Sequence, residues 1–570
     1  MATDDTSTEL LGVLVRLREA LVGTELPLEV SEVDSARRTR RELIDQLEDY
    51  VLPRLLQIDA PLLAVVGGST GAGKSTLVNS LVGERVSEPG VLRPTTRSPV
   101  LVHNPTDAGW FDQSRILPEL ARTTGSPGGV GTLHLVPTAN VPAGLAILDA
   151  PDIDSVEQAN RQLATQLLAA ADLWLFVTSA ARYADQVPWD FLKTAAERST
   201  AVAIVLDRTA PQSVREVSSH LARMLDTRGL GESPLFCVPE SPVDEQGLLP
   251  PKATKAVRDW LHSLALDAAA RDAVVRQTLD GAVHSLSHRT RAVADAAGEQ
   301  RDAAEALRAE VDRAYDDAVK AVDTATQDGT LLRGEVLARW QEFVGTGELL
   351  KSLEERIGRL RDRVISAVKG RPHTAQKVSV AVESGLETLL LEHAESAAER
   401  VENTWRSSSG GRQLLDEAGG DLGRASRGFR VEAERAVRAW QGDVLEMVRN
   451  EGADRRSRAR YLAYGVNGLS VALMVVVFAH TAGLTGAEVG IAGGSAAVGQ
   501  KLLEAVFGDQ AVRRLAAQAR ADLRNRVEEL MLQERQRFLD VLAATAIGPD
   551  VAAVLRDLAR DVDDARRAPP

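Results

Sequence analysis

The chain has 570 residues, 44% of them hydrophobic and 4% aromatic, and carries a formal net charge of −14 at pH 7. Its length allows roughly three to four average domains, and its wealth of Ala, Leu, Val and Arg suits long helices better than β-sandwiches. The acidic balance argues against a general nucleic-acid binder, whose affinity comes from clustered Lys and Arg, and the single cysteine, Cys237, excludes an intramolecular disulfide and fits a reducing cytosol. Asp4, Asp5 and Glu9 stand where a secretory leader would have a basic region followed by an apolar core, so no leader is expected.

Residues 1–58 read as amphipathic helices that need a packing partner: Leu10, Leu14, Leu17 and Leu21, then Leu43, Leu47 and Val51, recur at helical spacing. Pro61 introduces an apolar run, Leu62 to Val66, that enters a glycine-rich turn, and a helix follows from Lys74 to about Leu81. Apolar runs at Leu145–Leu148, Leu173–Val177, Ala201–Leu206 and Leu235–Val238 alternate with helical stretches, as in a mostly parallel sheet. The expected α/β domain is residues 59–261, with a Gly-, Thr- and Pro-rich excursion from Thr106 to Thr132.

Residues 262–460 read as a helical stalk or bundle. Val275, Leu279, Val283 and Leu286, and then Leu307, Val311, Tyr315, Val319 and Val322, form stripes at spacings of three or four. Such stripes are covered either inside the same chain, the commoner case, or by an intermolecular coiled coil. Gly345, Gly347 and the Ser407–Gly411 cluster mark helix breaks. From Tyr461 through Ala487 no Asp, Glu, Lys or Arg occurs, and arginines at 455, 456, 458 and 460 precede the run while Lys501, Arg513 and Arg514 follow it. Residues 461–508 are therefore expected to form an apolar hairpin or paddle dipping into the membrane with both flanks on the cytoplasmic side, in preference to a single transmembrane helix, which would place the charged helix with Leu523, Val527 and Leu530 outside. The competing reading is a helical hairpin buried in the bundle, where Gly and Ala allow close packing. Residues 509–570 would be helices returning to the stalk.

Gly68-Ser69-Thr70-Gly71-Ala72-Gly73-Lys74-Ser75 satisfies G-x-x-x-x-G-K-[ST], with a strand before it and a helix after it. In such a loop the backbone N–H groups turn toward phosphate oxygens and the helix N-terminus adds its positive end. Lys74 would reach the β- and γ-phosphates, Ser75 would ligate Mg²⁺, and Thr76 follows in the nucleotide-binding set. The strand Leu145–Leu148 ends in Asp149, the carboxylate expected to hold the metal directly or through water. Between these motifs lies Pro94-Thr95-Thr96-Arg97, a loop in which Thr96 could sense the γ-phosphate and Mg²⁺. These motifs imply a P-loop nucleoside triphosphatase with Mg²⁺ as cofactor.

The order of phosphate loop, threonine loop and strand-end Asp resembles translation-factor-class GTPases, and Thr96-Arg97-Ser98-Pro99 resembles the Thr-Arg-x-Pro form of dynamin-like proteins. Helices on both sides of the α/β domain and a late apolar hairpin are similar to the stalk-and-paddle layout of bacterial dynamin-like membrane GTPases. The resemblance implies GTP as substrate, GDP as product, a lipid membrane and a second copy or a paired related GTPase as partners, and a place at the cytoplasmic face of the cell membrane. Two departures stand out. Asp152 occupies the glycine of Asp-x-x-Gly, and Ile153 stands where some GTPases place a water-orienting Gln. Assistance to the attacking water then falls to Ser69, Thr70, Thr96 or a partner, alongside Lys74, and basal turnover is expected to be slow. In place of an Asn-Lys-x-Asp or Thr-Lys-x-Asp base-reading motif the strand ends Asp207-Arg208-Thr209-Ala210, which leaves Asp207 or Arg208 to contact the base. Guanine preference rests on the resemblance.

Two other functions are weighed. An ATPase subunit of a membrane transporter would share the phosphate loop, but no Leu-Ser-Gly-Gly helix occurs and no Glu follows Asp149. A nucleotide-gated scaffold that binds a protein partner and barely hydrolyses is consistent with the departures at Asp152 and Asp207.

Overall fold

The computed structural model describes residues 2–88, 98–112, 117, 120–124, 131–155, 158–197, 201–332, 334–344, 372–452, 466–478, 498–504, 506–545, 548 and 550–567. The chain divides into two compact units, the first made of residues 1–26, 32–299 and 548–570, the second of residues 27–31 and 300–547.

The first unit is built on an eight-stranded sheet: β1 (Leu62–Gly68), β2 (Val100–His103), β3 (Ala121–Thr123), β4 (Thr132–Pro137), β5 (Leu145–Asp149), β6 (Leu173–Ser179), β7 (Ala201–Thr209) and β8 (Leu235–Pro239). Spatial order is β3-β4-β2-β5-β1-β6-β7-β8, and the β2–β5 pair is antiparallel while the other pairs run parallel. The central strand β1 is an unbroken apolar run because both of its faces are covered. Leu63 and Val65 join a core with Leu167, Leu168 and Phe176, whereas Leu62, Ala64 and Val66 join another with Val78, Leu81, Val257 and Leu261. Burying each such side chain contributes about 1.5–3 kcal/mol, so the strand is held by its neighbours more than by its own propensity. The register aligns Val66 with Asp149, Gly68 with Val177 and Ser179 with Asp207, so the carboxyl ends of β1, β5, β6 and β7 converge on one edge. In open α/β sheets this is the edge at which ligands bind. The expected excursion contains a short helix, Ala108–Phe111, and the edge strand β3.

A third core of this unit joins Leu14, Leu17 and Leu21, Leu43, Leu47 and Val51, Leu279, Val283 and Leu286, and Leu555, Leu558 and Val562. The N-terminal helices thus pack with the start of the 60-residue helix Ala268–Gln327 and with the C-terminal helix Val551–Arg567. Under the sheet, Asp172 is fully buried. It forms an ion pair with Arg54 at 3.0 Å, accepts hydrogen bonds from the Tyr50 hydroxyl at 3.2 Å and the Leu63 N–H at 2.8 Å, and its backbone carbonyl accepts from the Thr278 hydroxyl at 2.9 Å.

The second unit is helical. Leu307, Val311, Tyr315 and Val322 of the long helix, the helices Glu335–Val344, Pro372–Arg406, Phe429–Gly452, Val466–Phe478 and Asp509–Ala543, and three fully buried tryptophans, Trp340, Trp405 and Trp440, share one apolar core. At the Ser407–Gly411 cluster one helix ends at Arg406 and the next begins at Ser409, where the Ser408 hydroxyl accepts from the Gly411 N–H at 3.1 Å. Gly345 and Gly347 lie outside the described residues.

The expectation of a membrane-inserting hairpin at residues 461–508 needs correction. Its first described leg, Val466–Phe478, has every residue from Gly468 to Phe478 buried in the bundle core, with the Phe478 ring 5.6 Å from that of Trp440. Thirteen residues rise about 20 Å, short of a bilayer core of about 30 Å, and among the described residues no helix is long and apolar enough to cross a membrane. The lack of charge reflects burial among helices of the same unit, since a wholly enclosed helix has no face that needs polar residues. Residues 479–497, where the hairpin would turn, lie outside the described residues.

Candidate nucleotide site

Three glycines of the loop after β1, Gly68, Gly71 and Gly73, have positive φ, and two of them are hemmed in by neighbouring strands. Gly68 has φ +151°, and a Cβ there would run into the Val177 carbonyl of β6; Gly73 has φ +99°, and a Cβ there would run into the Asp207 carboxylate at the end of β7. Larger residues would push the loop off the strand ends that surround it. Ala72 is buried, with its N–H donating to the Ser69 carbonyl at 3.1 Å, while Gly71 is exposed at the loop's crest. Lys74 opens the helix Lys74–Val82 and is buried. Its ammonium donates to the Gly68 and Ser69 carbonyls at 2.9 and 3.2 Å and forms an ion pair with Asp152. Thr76 sits one residue past Ser75 in the first helical turn, and its carbonyl accepts from Ser80 at 2.6 Å.

Asp149 closes β5 and is fully buried. Its Oδ2 accepts from the Ser75 hydroxyl at 2.6 Å and from the Ser87 hydroxyl at 2.6 Å. Burial pushes its carboxyl up, against the pull of the two hydroxyls and of Lys74. Its Oδ1 is buried with no hydrogen-bond partner among the described residues, as is the Ser69 hydroxyl. A buried carboxylate oxygen without a donor, beside a serine hydroxyl, is the hard-oxygen donor set that Mg²⁺ takes, so Ser75 and Asp149 fit a metal bound with phosphate. When bound, Mg²⁺ would neutralise charge on the β- and γ-phosphate oxygens.

Asp152, Ile153 and Asp154 follow Asp149 at this edge. Ile153 is fully buried in the core with Leu167 and Phe176, so its side chain points away from any water to be oriented. Asp154 was not picked out by motif reading. Its Oδ1 accepts from both the N–H and the hydroxyl of Thr70, at 2.6 and 2.7 Å, and its Oδ2 accepts from Arg182 at 2.6 Å. Burial works to raise its pKa, but the Thr70 hydrogen bonds and the Arg182 charge hold the carboxyl below the usual carboxylate range. Ser87 and Asn79 were also missed. The Asn79 side chain accepts from the Val86 and Ser87 N–H groups at 2.9 and 2.8 Å and donates to the Ser87 carbonyl at 2.7 Å, which pins the turn that brings Ser87 to Asp149. Nothing in the spacing of Asn79 or Ser87 marks them, because their role arises from a turn that folds back on the helix.

At the end of β7, Asp207 is buried beside Gly73 and accepts from the Arg208 N–H at 2.8 Å. Burial raises its carboxyl to about 6, opposed by that N–H and by the Arg208 charge. Arg208 is exposed and has φ +52°, and its Nε lies 3.4 Å from where a Cβ on Gly73 would stand. A non-glycine residue in this conformation stores roughly 1–3 kcal/mol of strain, of the kind that clusters at ligand sites. Thus the structure gathers Gly68, Ser69, Thr70, Gly71, Ala72, Gly73, Lys74, Ser75, Thr76, Asp149, Asp152, Asp207 and Arg208 at one sheet edge, while Thr96 lies outside the described residues.

No family model matches the chain. It is 26% identical over 153 residues to the probable transmembrane GTPase FZO-like, chloroplastic, of Arabidopsis thaliana; the match covers 27% of this chain and 16% of that relative's length. Among solved structures it is similar to a chain of an oligomerised bacterial dynamin pair described as a mechanism for long-range sensing and tethering of membranes, at 9% identity and a TM-score of 0.32, covering 91% of this chain and 96% of that one. It is also similar to LeoA, a bacterial dynamin GTPase from ETEC, at 11% identity and a TM-score of 0.23 over 99% and 98% of the two chains. Toc33 of Arabidopsis thaliana, solved with Mg²⁺ and GMPPNP, matches at 18% identity and a TM-score of 0.22 over 40% of this chain and 94% of its own. A phosphate loop after the central strand, a strand-end aspartate bonded to the loop's serine and a mostly parallel sheet give this unit the arrangement of a P-loop nucleotide-binding fold, and part of the chain is similar in sequence to the FZO-like GTPase.

Proposed function

We propose that the protein binds GTP with Mg²⁺ at this edge, hydrolyses it to GDP and phosphate, and couples the cycle to a change of conformation or assembly at the cytoplasmic face of a membrane. The observation that carries the chemistry is the joint placement of Lys74, Ser75 and the buried Oδ1 of Asp149, which has no partner among the described residues: a cation and two hard-oxygen ligands around one loop of N–H groups. Lys74 and the loop amides would bind the β- and γ-phosphates, Ser75 and Asp149 would hold the metal, Thr96 would report the γ-phosphate, and Asp207 with Arg208 would face the base. The membrane part draws on the FZO-like relative, named a transmembrane GTPase. A second copy or a related GTPase is the proposed assembly partner, because Ile153 leaves the water without an orienting side chain.

Steady-state GTP and ATP hydrolysis by the purified full chain, with and without anionic liposomes and with Lys74→Ala as blank, tests this reading. GTP-selective turnover stimulated by lipid is expected; ATP preference would overturn it. Binding without turnover under every condition would favour the nucleotide-gated scaffold, a reading that the buried Ile153 and the Lys74–Asp152 ion pair support.

A further inference from the structure

An arginine stands one carboxylate away from the phosphate loop. Arg182 lies in the turn after β6, where its N–H donates to the Ser179 carbonyl at 2.9 Å, and its side chain keeps about a third of its surface exposed. Its guanidinium holds Oδ2 of Asp154 at 2.6 Å, while Oδ1 of the same carboxylate holds the N–H and hydroxyl of Thr70 at 2.6 and 2.7 Å. A phosphate-loop N–H turned toward a carboxylate is satisfied by an anion in the place where a phosphate oxygen would be, so Asp154 fills part of the site that a triphosphate needs.

We propose that Arg182 is a catalytic cation supplied within the chain, kept in reserve by Asp154 and released to the γ-phosphate when the triphosphate displaces that carboxylate from Thr70. The proposal rests on the GTPase reading above. In hydrolysis a bond forms between the water oxygen and the γ-phosphorus while the bond from that phosphorus to the β–γ bridging oxygen breaks. The electron pair stays on GDP and the water's proton leaves with the phosphate. Charge grows on the bridging and γ-oxygens, and with Ile153 buried the planar five-donor fork of Arg182, one carboxylate away from Thr70, is suited to meet it, whereas Arg208 lies by Gly73 at the end of β7. Lys74, the cation of the phosphate loop itself, is the group that takes the β- and γ-phosphates once the triphosphate breaks its pair with Asp152, and Arg182 would add a second positive charge on the Thr70 side.

The test is single-turnover GTP hydrolysis together with binding of GDP, of a non-hydrolysable triphosphate and of GDP with aluminium fluoride. Arg182→Ala and Arg182→Gln are each expected to slow hydrolysis by at least 100-fold, on the scale of about 10³–10⁵ known for arginine fingers, and to lose the aluminium fluoride complex. Binding of GDP and of the non-hydrolysable triphosphate should stay within about threefold of wild type, and Arg182→Lys should not restore the rate, because an ammonium lacks the fork. Asp154→Asn should speed hydrolysis several-fold by loosening the reserve position. Hydrolysis unchanged in both Arg182 variants, or an aluminium fluoride complex that survives, would overturn the proposal. So would an Asp154→Asn loss as large as that of Arg182→Ala, which would make the pair a structural anchor. A wild-type protein with no turnover would instead remove the GTPase reading and this proposal with it.

Discussion

The Ser87 hydroxyl donates to Oδ2 of Asp149 at 2.6 Å, the same oxygen that the Ser75 hydroxyl reaches from the phosphate loop. One carboxylate oxygen is thereby fixed by two donors while the other has none among the described residues, which aims that oxygen before any metal arrives. Ser87→Ala is expected to weaken Mg²⁺-dependent nucleotide binding about five- to tenfold, since a hydrogen bond to a charged group contributes about 1.5–3 kcal/mol and only part of that reaches the metal. Calorimetric titration with nucleotide at several Mg²⁺ concentrations checks it; equal affinities would show that Ser75 orients Asp149 unaided.

Lys74 and Asp152 form an ion pair with the lysine almost wholly buried. The carboxylate stands where a γ-phosphate would compete for the same ammonium, so the triphosphate must break this pair. Asp152→Asn is expected to raise affinity for a non-hydrolysable triphosphate about tenfold and for GDP by much less. Titration with fluorescent nucleotides reads both constants, and an equal gain for both would contradict the competition.

Asp207 titrates near pH 6, raised mainly by burial. A carboxyl whose folded pKa lies above its unfolded value of about 3.9 binds its proton more tightly when folded. It therefore destabilises the fold progressively as pH rises from about 4 to 6, and the full cost persists at neutral pH. Asp207→Asn keeps an acceptor for the Arg208 N–H and removes the charge, so at pH 7 it should stabilise the nucleotide-free protein by roughly 2–3 kcal/mol. Thermal melts from pH 4 to 7 should show the gap between variant and wild type opening with pH; a constant gap would mean that the carboxyl is not desolvated.

The helix Val466–Phe478 offers a test of burial against membrane insertion. Val475 is buried among the helices of the second unit, and Trp440 of the same core packs on Phe478 and donates its indole N–H to the Ala519 carbonyl at 2.8 Å. Val475→Asp would place an unpaired carboxylate in that core and Phe478→Ala would leave a cavity costing about 3–5 kcal/mol. Both should lower the melting temperature in detergent-free buffer, Val475→Asp by more. A Phe478→Ala protein that melts like wild type would show that this helix does not support the bundle.

The sequence alone determined much that is local. The apolar run Leu62–Val66, the glycines, Lys74 and Ser75 declare a strand, phosphate loop and helix because short-range sterics and hydrogen bonding leave few other conformations for that order of residues. Asp149 was legible for the same reason, as a charge at the end of an apolar strand. Asp154, Arg182, Ser87 and Asn79 were not, since each acts through partners brought near by strand register and chain reversal. The apolar segment after residue 460 shows the limit most sharply. Hydropathy records that a helix is out of water; whether lipid or protein surrounds it depends on partners such as Trp440, whose ring meets that of Phe478 from another part of the chain. Tertiary packing decided that for Val466–Phe478, and it decided also that Asp152 faces Lys74 and that Ile153 faces the core, because neighbouring residues on one loop are assigned to opposite sides only when the sheet beneath them is assembled.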